Sequence, residues 1–186
     1  MTSRPEPIFL VSDLDLMPDD TNRYEVIDGE LFVSKAPSIE HQIVSSNLNA
    51  EFVLYLRANA IGKVVPTPGI VFGEIDGVIP DLVFVSNSTL ERIRTGPRLT
   101  GAPDLIVEIL SPGPDNQRRD RVAKMHLYAK FRVLEYWLVD PQSCVVEVHT
   151  LEGNSFRKTG AFSDKDELTS DLLPAFRCKV SSIFAV

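Results

Sequence analysis

Cysteine is nearly missing. Cys144 and Cys178 are the only two in 186 residues. They have neither CxxC spacing nor a neighbouring histidine, which leaves too few ligands for a structural zinc site. We expect buried free thiols in a reducing, cytoplasmic setting. Long apolar runs are missing too: nothing approaches the roughly 20 residues of a membrane helix, so no membrane span is expected. The N-terminus places Arg4, Pro5, Glu6 and Pro7 before a short apolar patch, which is not the layout of a signal peptide. Positive charge is in deficit, with 19 Lys and Arg against 26 Asp and Glu and a net charge of −7. That balance speaks against a nonspecific nucleic-acid coat. Internal repeats, low-complexity stretches and linkers are also lacking. The chain therefore reads as one domain, residues 1–186, long enough to bury a sizeable core.

What is present is organised around Ala102–Pro141. Leu105-Ile106-Val107-Glu108-Ile109-Leu110 is an apolar run bounded by Pro103 and Pro112. Such a run reads as a strand buried on both faces. A carboxylate inside it is costly unless it is paired or binds a cation, which makes Glu108 the residue in need of explanation. A helical stretch follows from Asp115 to Lys130, then a second buried strand over Leu134–Asp140. Strand, helix, strand is a βαβ-like unit.

The remaining elements follow from local signals. Residues 1–22 read as an extended arm with a short turn or helix near Ser12–Asp15. Tyr24–Ile27 and Glu30–Val33 flank Asp28-Gly29, the signature of a type I′ hairpin. Pro37-Ser38 opens a helix in which Ile39, Ile43, Val44, Leu48, Phe52, Tyr55 and Leu56 keep a helical period until near Gly62. Lys63–Val65, Gly69–Gly73 and Pro80–Ser86 read as strands, and residues 87–101 as a polar, basic connection. Cys144–His149 and Ser155–Lys158 form late strands around a turn at Gly153, and Leu172-Leu173-Pro174 is expected to close the sheet. The class is α/β with a mixed sheet.

Two acids sit in buried strands, Asp81 and Glu108. Asp104 competes, because Pro103-Asp104-Leu105 echoes Pro80-Asp81-Leu82. On one strand, however, Asp104 and Glu108 lie about 13 Å apart, too far for one small cation to bridge. Asp81 lies opposite Glu108 if their strands pair, and two such carboxylates suit Mg²⁺ (or Mn²⁺). The alternative is that Asp81 caps a turn and Glu108 pairs with a basic residue. Asp120, Lys124 and Tyr128 fall on one helical stripe, so Lys124 either faces Glu108 or forms an i,i+4 surface pair with Asp120. From Ser88 to Arg132 there are nine basic residues against five acids, a local +4 that leaves −11 elsewhere. Arg92, Arg94, Arg98, Arg118, Arg119 and Arg121 are either a solvated surface or a phosphate-binding patch.

Together these motifs resemble the Uma-two family of restriction-endonuclease-like proteins, within the PD-(D/E)XK nuclease superfamily. The likeness runs from Tyr24-Glu25-Val26-Ile27-Asp28-Gly29-Glu30 through Pro80-Asp81-Leu82-Val83 and Pro103–Pro112 to Glu135-Tyr136-Trp137-Leu138-Val139-Asp140-Pro141. It implies a restriction-endonuclease-like core, a mixed sheet flanked by helices. It further implies a metal-dependent endonuclease acting on DNA phosphodiesters, with a catalytically degenerate DNA-binding or assembly protein on the same fold as the alternative. Asp81 and Glu108 match the motif acids that hold Mg²⁺ or Mn²⁺, with the Ile109 carbonyl as a further ligand. Leu110 stands where the superfamily usually has its lysine, so the resemblance is to the variant whose lysine comes from the next helix, here Lys124. His41 matches the family histidine, and Glu40, Asp120 and Tyr128 are accessory candidates. Arg132 stands where a helix-ending glycine is usual and is expected to take the C-cap conformation at some cost. Cutting both strands calls for two sites, hence a homodimer with DNA as partner.

Overall fold

The computed structural model describes residues 8–113, 116 and 118–185. The first seven residues of the expected N-terminal arm and positions 114, 115 and 117 at the start of the second helical stretch lie outside these. A 3₁₀ helix (Val11–Leu16) precedes a hairpin of β1 (Arg23–Ile27) and β2 (Glu30–Ser34), then α1 (Ile39–Ala58). Next come β3 (Gly62–Pro66), β4 (Ile70–Gly73), β5 (Asp76–Val78), β6 (Leu82–Ser86), α2 (Asn87–Ile93), β7 (Leu99–Thr100) and β8 (Leu105–Ile109). A π-helical turn (Arg119–Lys124) runs into α3 (Met125–Lys130). The chain ends with β9 (Glu135–Asp140), β10 (Val145–Glu152), β11 (Ser155–Phe162), β12 (Glu167–Leu168), β13 (Cys178–Lys179) and α4 (Val180–Ile183).

The fold is mixed α/β. A six-stranded sheet has the order β11-β10-β9-β8-β6-β3, and a five-stranded sheet the order β2-β1-β5-β4-β7. In the larger sheet β8 and β9 are parallel and the other pairs antiparallel. Parallel neighbours need a crossover, and the π turn with α3 supplies it.

Alternation along β8 divides the interior. Leu105, Val107 and Ile109 face one side, where α1 lays Val44, Leu48 and Phe52 on them. Phe52 stacks on Trp137 there, with ring centroids 5.4 Å apart. Ile106 and Leu110 face the other side, toward Leu127 and Tyr128 of α3 and toward Ile27, Ile70 and Val78 of the smaller sheet. Glu108 shares the parity of Ile106 and Leu110, so its carboxylate enters this second layer.

The β1–β2 turn has both central residues at positive φ, Asp28 at 48° and Gly29 at 78°. This is the backbone twist a two-residue hairpin favours. Ser38 caps α1, its hydroxyl accepting from the His41 amide at 3.2 Å. Arg132 takes the left-handed C-cap conformation at φ 69°. Its side chain donates to the Gly153 carbonyl and the Asn154 side chain.

Three local expectations change. Residues 87–101 are not a plain connection. Ser86 accepts from the Thr89 amide and starts α2, and Leu99 then adds β7 beside β4. Leu172-Leu173-Pro174 is not a strand. Leu173 plugs the first core layer from a turn, and β12–β13 form a separate two-stranded ribbon. Ile39 is 80% exposed, because the first turn of α1 projects beyond the sheet.

A close approach on β3 generates a test. A Cβ on Gly62 would lie 2.2 Å from the Val85 carbonyl and 2.6 Å from the Phe84 ring, whereas one on Gly73 meets nothing within 4 Å. Gly62→Ala is expected to cost about 1–3 kcal/mol through forced displacement. Gly73→Ala is expected to lie within about 0.5 kcal/mol of the parent, as surface substitutions usually do. Urea unfolding of the two variants measures the contrast.

Candidate active site

The β6–β8 register builds the site. Leu82 pairs with Val107, so the next step along both strands sets Asp81 opposite Glu108, on the face shared with Val83 and Ile106. Cross-strand partners on one face are close neighbours. Both acids are buried, at 3% exposure each.

Donors fall unevenly on the two oxygens of each carboxylate. Asp81 Oδ2 accepts from the Ile109 amide at 2.9 Å and from His41 Nε2 at 3.1 Å. His41 is aimed by the Ser38 cap, while its own Nδ1 is buried without a partner among the described residues. Asp81 Oδ1 meets only the Arg23 guanidinium among the described residues, at 3.0 Å. Glu108 Oε1 accepts from Lys124 Nζ at 3.0 Å and from the Tyr128 hydroxyl at 2.7 Å. None of these contacts falls on Glu108 Oε2.

Lys124 is 2% exposed, and it binds a second acid, Glu25 of β1, at 2.9 Å, with Asp120 at 3.9 Å. The expected alternatives of a solvent-facing lysine and an Asp120–Lys124 surface pair therefore both give way to a buried cluster. The π turn contributes here. Its wider winding presents Asp120 and Lys124 inward together, and such turns recur at functional sites. Asp120 also pairs with Arg119 at 2.9 Å, and its carbonyl accepts from Tyr136 at 2.9 Å.

Burial pushes the Glu108 carboxyl up to about 8. Lys124 pulls it down, while Asp81, Asp120 and Glu25 add to the rise. For Asp81, burial alone raises the pKa, but His41, the Ile109 amide and Arg23 outweigh it and hold the carboxyl at about 2. Burial lowers the Lys124 pKa, but Glu108, Glu25 and Asp120 reverse that and raise it well above the usual lysine range. Lys124 is a fixed cation.

Glu40 is exposed, since the cap that turns His41 inward turns its neighbour out. Among the arginines, Arg92, Arg94 and Arg118 are exposed. Arg98 pairs with Asp15 at 2.6 Å and Arg121 with Glu147 at 3.1 Å. Arg119 reaches a polar cavity of about 380 Å³ that it lines with Arg23, His41, Asp81 and Ile109. A neighbouring cavity of about 280 Å³ shares Arg119 and adds Arg118. Sequence reasoning missed Arg23 and Glu25 as site residues. Both sit on a hairpin strand, where an alternating charge reads as a solvent-facing position.

Among the described residues, no group of three or more His, Cys, Asp or Glu side chains is placed to hold a metal ion. The donor chemistry nevertheless fits Mg²⁺, which takes one or two carboxylates and keeps several waters.

Two tests follow from the charges. Lys124→Met leaves Glu108 and Glu25 without their buried cation and is expected to cost about 3–5 kcal/mol. Glu108→Gln mimics the neutral acid that burial favours and is expected to hold or raise metal-free stability. Combined with Lys124→Met it is expected to recover part of the loss, seen as a coupling above about 0.5 kcal/mol in a double-mutant cycle. Asp81 has a depressed pKa, so its stabilisation is present above its unfolded value of 3.8 and is lost as pH falls through about 2. Asp81→Asn is expected to lower stability by roughly 2 kcal/mol at pH 6, with the difference shrinking as pH falls and vanishing below about pH 2, measured by thermal unfolding across pH.

Comparisons with known proteins agree with the fold. The crystal structure of a protein from Anabaena variabilis, described as a putative nuclease belonging to DUF820, superposes with a TM-score of 0.77. It is 17% identical, and the match covers 95% of this chain and 98% of that one. No curated protein matches. The Uma2 family, described as putative restriction endonuclease, matches residues 11–181. The chain carrying this paired-acid and buried-lysine arrangement thus belongs to the Uma2 family.

Proposed function

We propose that the protein is a divalent-metal-dependent endonuclease that hydrolyses DNA phosphodiester bonds. The observation that carries this reading is the placement of Asp81 opposite Glu108 with Lys124 Nζ 3.0 Å from the latter, beside an arginine-lined cavity. Asp81 and Glu108 would hold Mg²⁺ or Mn²⁺, with the Ile109 carbonyl as a further ligand. When bound, such an ion would supply a water of lowered pKa and polarise the scissile phosphate.

The chain's own groups do the rest. Lys124 stays protonated, so it serves as a fixed positive charge for the developing phosphorane and not as a base. Glu25 and Tyr128 hold the lysine and the glutamate in register, since both reach the same pair at 2.9 and 2.7 Å. His41 and the Ile109 amide fix the orientation of Asp81. Arg118 and Arg119 line the approach and contact backbone phosphates. Asp120 positions Lys124 and Arg119, and Glu40 lies on the exposed rim. Two copies acting together cut both strands of a duplex.

A second reading, a catalytically degenerate DNA-binding or assembly protein, draws on one observation. The charges of the site already satisfy one another, Asp81 with Arg23 and Glu108 with Lys124. The experiment that decides is incubation of purified protein with supercoiled and linear DNA in Mg²⁺ or Mn²⁺, with and without EDTA. Cleavage that EDTA stops is expected. Asp81→Ala and Glu108→Ala are expected to remain folded and inactive, and Lys124→Ala to lose about 10²–10³-fold in rate while still binding metal. Leu110→Lys with Lys124→Ala returns a cation to the strand face of Glu108, and partial recovery is expected. Binding without cleavage under every metal condition points to the second reading, and cleavage by both acid variants removes them from the mechanism.

A further inference from the structure

Arg23 has no role in the reading above, yet it occupies a singular position. Its guanidinium sits 3.0 Å from Asp81 Oδ1, the oxygen left over after His41 and the Ile109 amide have taken Oδ2. Asp81 Oδ2 is thus held without Arg23, whose hydrogen bond falls on the other oxygen. The arginine side chain is 24% exposed, against 4% for the aspartate side chain. It also lines two cavities. One is the polar cavity holding Asp81, His41 and Arg119, and the other, of about 230 Å³, includes Arg98. The arginine therefore borders open space beside Asp81.

A contrast with Lys124 sharpens the point. Lys124 is sealed, at 2% exposure, and touches Glu108 and Glu25 together, so its removal strands buried charge. Arg23 touches one acid at the cavity wall. The first cation is built in, and the second is placed where it can be exchanged.

We propose that Arg23 is a resident counter-ion of the metal site. It occupies Asp81 Oδ1 while no divalent ion is bound, leaves that oxygen when the ion arrives, and then binds a phosphate of the substrate strand in the adjoining groove. The proposal rests on the metal-dependent reading above. Its physical basis is that a guanidinium and a divalent cation repel each other and compete for the same carboxylate oxygen. Once displaced, a planar fork of N–H donors is well matched to a phosphodiester. Metal and nucleic acid thereby bind with positive coupling, since each favours the arginine position that the other requires. No bond is made or broken in this exchange.

Two binding measurements give opposite signs for one substitution, which a merely structural role does not. With Mn²⁺ alone, followed by calorimetry, Arg23→Gln is expected to bind the ion about tenfold or more tightly than the parent, in line with measured charge-pair couplings. With a DNA duplex in Ca²⁺, followed by anisotropy, the same variant is expected to bind about tenfold more weakly. Its log–log salt slope should be reduced by roughly 0.9, the loss of one phosphate contact. Arg23→Lys keeps the charge but not the fork and is expected to fall between the two in both assays. Mn²⁺ binding by Arg23→Gln that is equal to or weaker than the parent's overturns the proposal. So does tighter Mn²⁺ binding with unchanged DNA affinity. Loss of Mn²⁺ binding by the parent itself, with or without DNA, instead removes the metal site and the proposed function with it. If Arg23→Gln does not fold, a crystal of the parent soaked in Mn²⁺ decides: Arg23 off Asp81 supports the exchange, and Arg23 still on Asp81 beside bound metal overturns it.

Discussion

The arrangement turns on one buried ammonium. Lys124 Nζ is held between Glu108 of β8 and Glu25 of β1, with Asp120 of its own turn behind it. Ions taken out of water are tolerated when geometry and additional hydrogen bonds satisfy them. Here the Tyr128 hydroxyl and the Ile79 amide supply those bonds to Glu108 and Glu25. The same lysine joins the larger sheet, the smaller sheet and the crossover helix, so the two sheets are docked through charge as well as through the apolar layer of Ile27, Ile70, Val78 and Tyr136. A salt link further along, Lys130 to Asp28 and Asp76, ties the hairpin tip to the end of α3 in the same sense.

From that sealed centre the site opens toward Asp81. Glu108 sits beside Tyr128 and Tyr136, where burial drives its carboxyl upward. Asp81, equally buried, is driven the other way by donors. Two neighbouring carboxylates with opposed tendencies are a pattern found where acids are tuned for chemistry, and it also arises in structural ion-pair networks. On each carboxylate one oxygen takes two donors; among the described residues the other meets Arg23 at Asp81 and no donor at Glu108.

Part of the local +4 of residues 88–132 is answered by acids. Arg98, Arg119 and Arg121 are each paired with an acid, Asp15, Asp120 and Glu147. Among the described residues, Arg118, Arg119 and the unforeseen Arg23 are the arginines that border the two cavities beside the acids. Charge close in sequence spreads over several elements once α2, the π turn and β7 separate it. Ionic attraction falls off within a Debye length of roughly 8–10 Å, so placement matters more than the sum.

The sequence by itself determined a good deal. The apolar run around Glu108 reads as a buried strand, Asp28-Gly29 as a tight turn, and Pro37-Ser38 as the start of a helix. Period-2 and period-3.6 patterns, with their punctuation, are local properties and need no partner to be read. The spacing argument that set Asp104 apart from Asp81 was also local. The structure uses Asp104 elsewhere, accepting from Ser86 and Thr89 at the start of α2. Tertiary structure alone decided the company these residues keep. Arg23 meets a residue 58 positions away, and Glu25 meets Lys124 from a different sheet. Alternation tells that Glu25 lies on one face of β1, but not that a second layer covers that face. That depends on which sheet docks there, a choice made by summed apolar burial across the whole chain, which no window of the sequence contains.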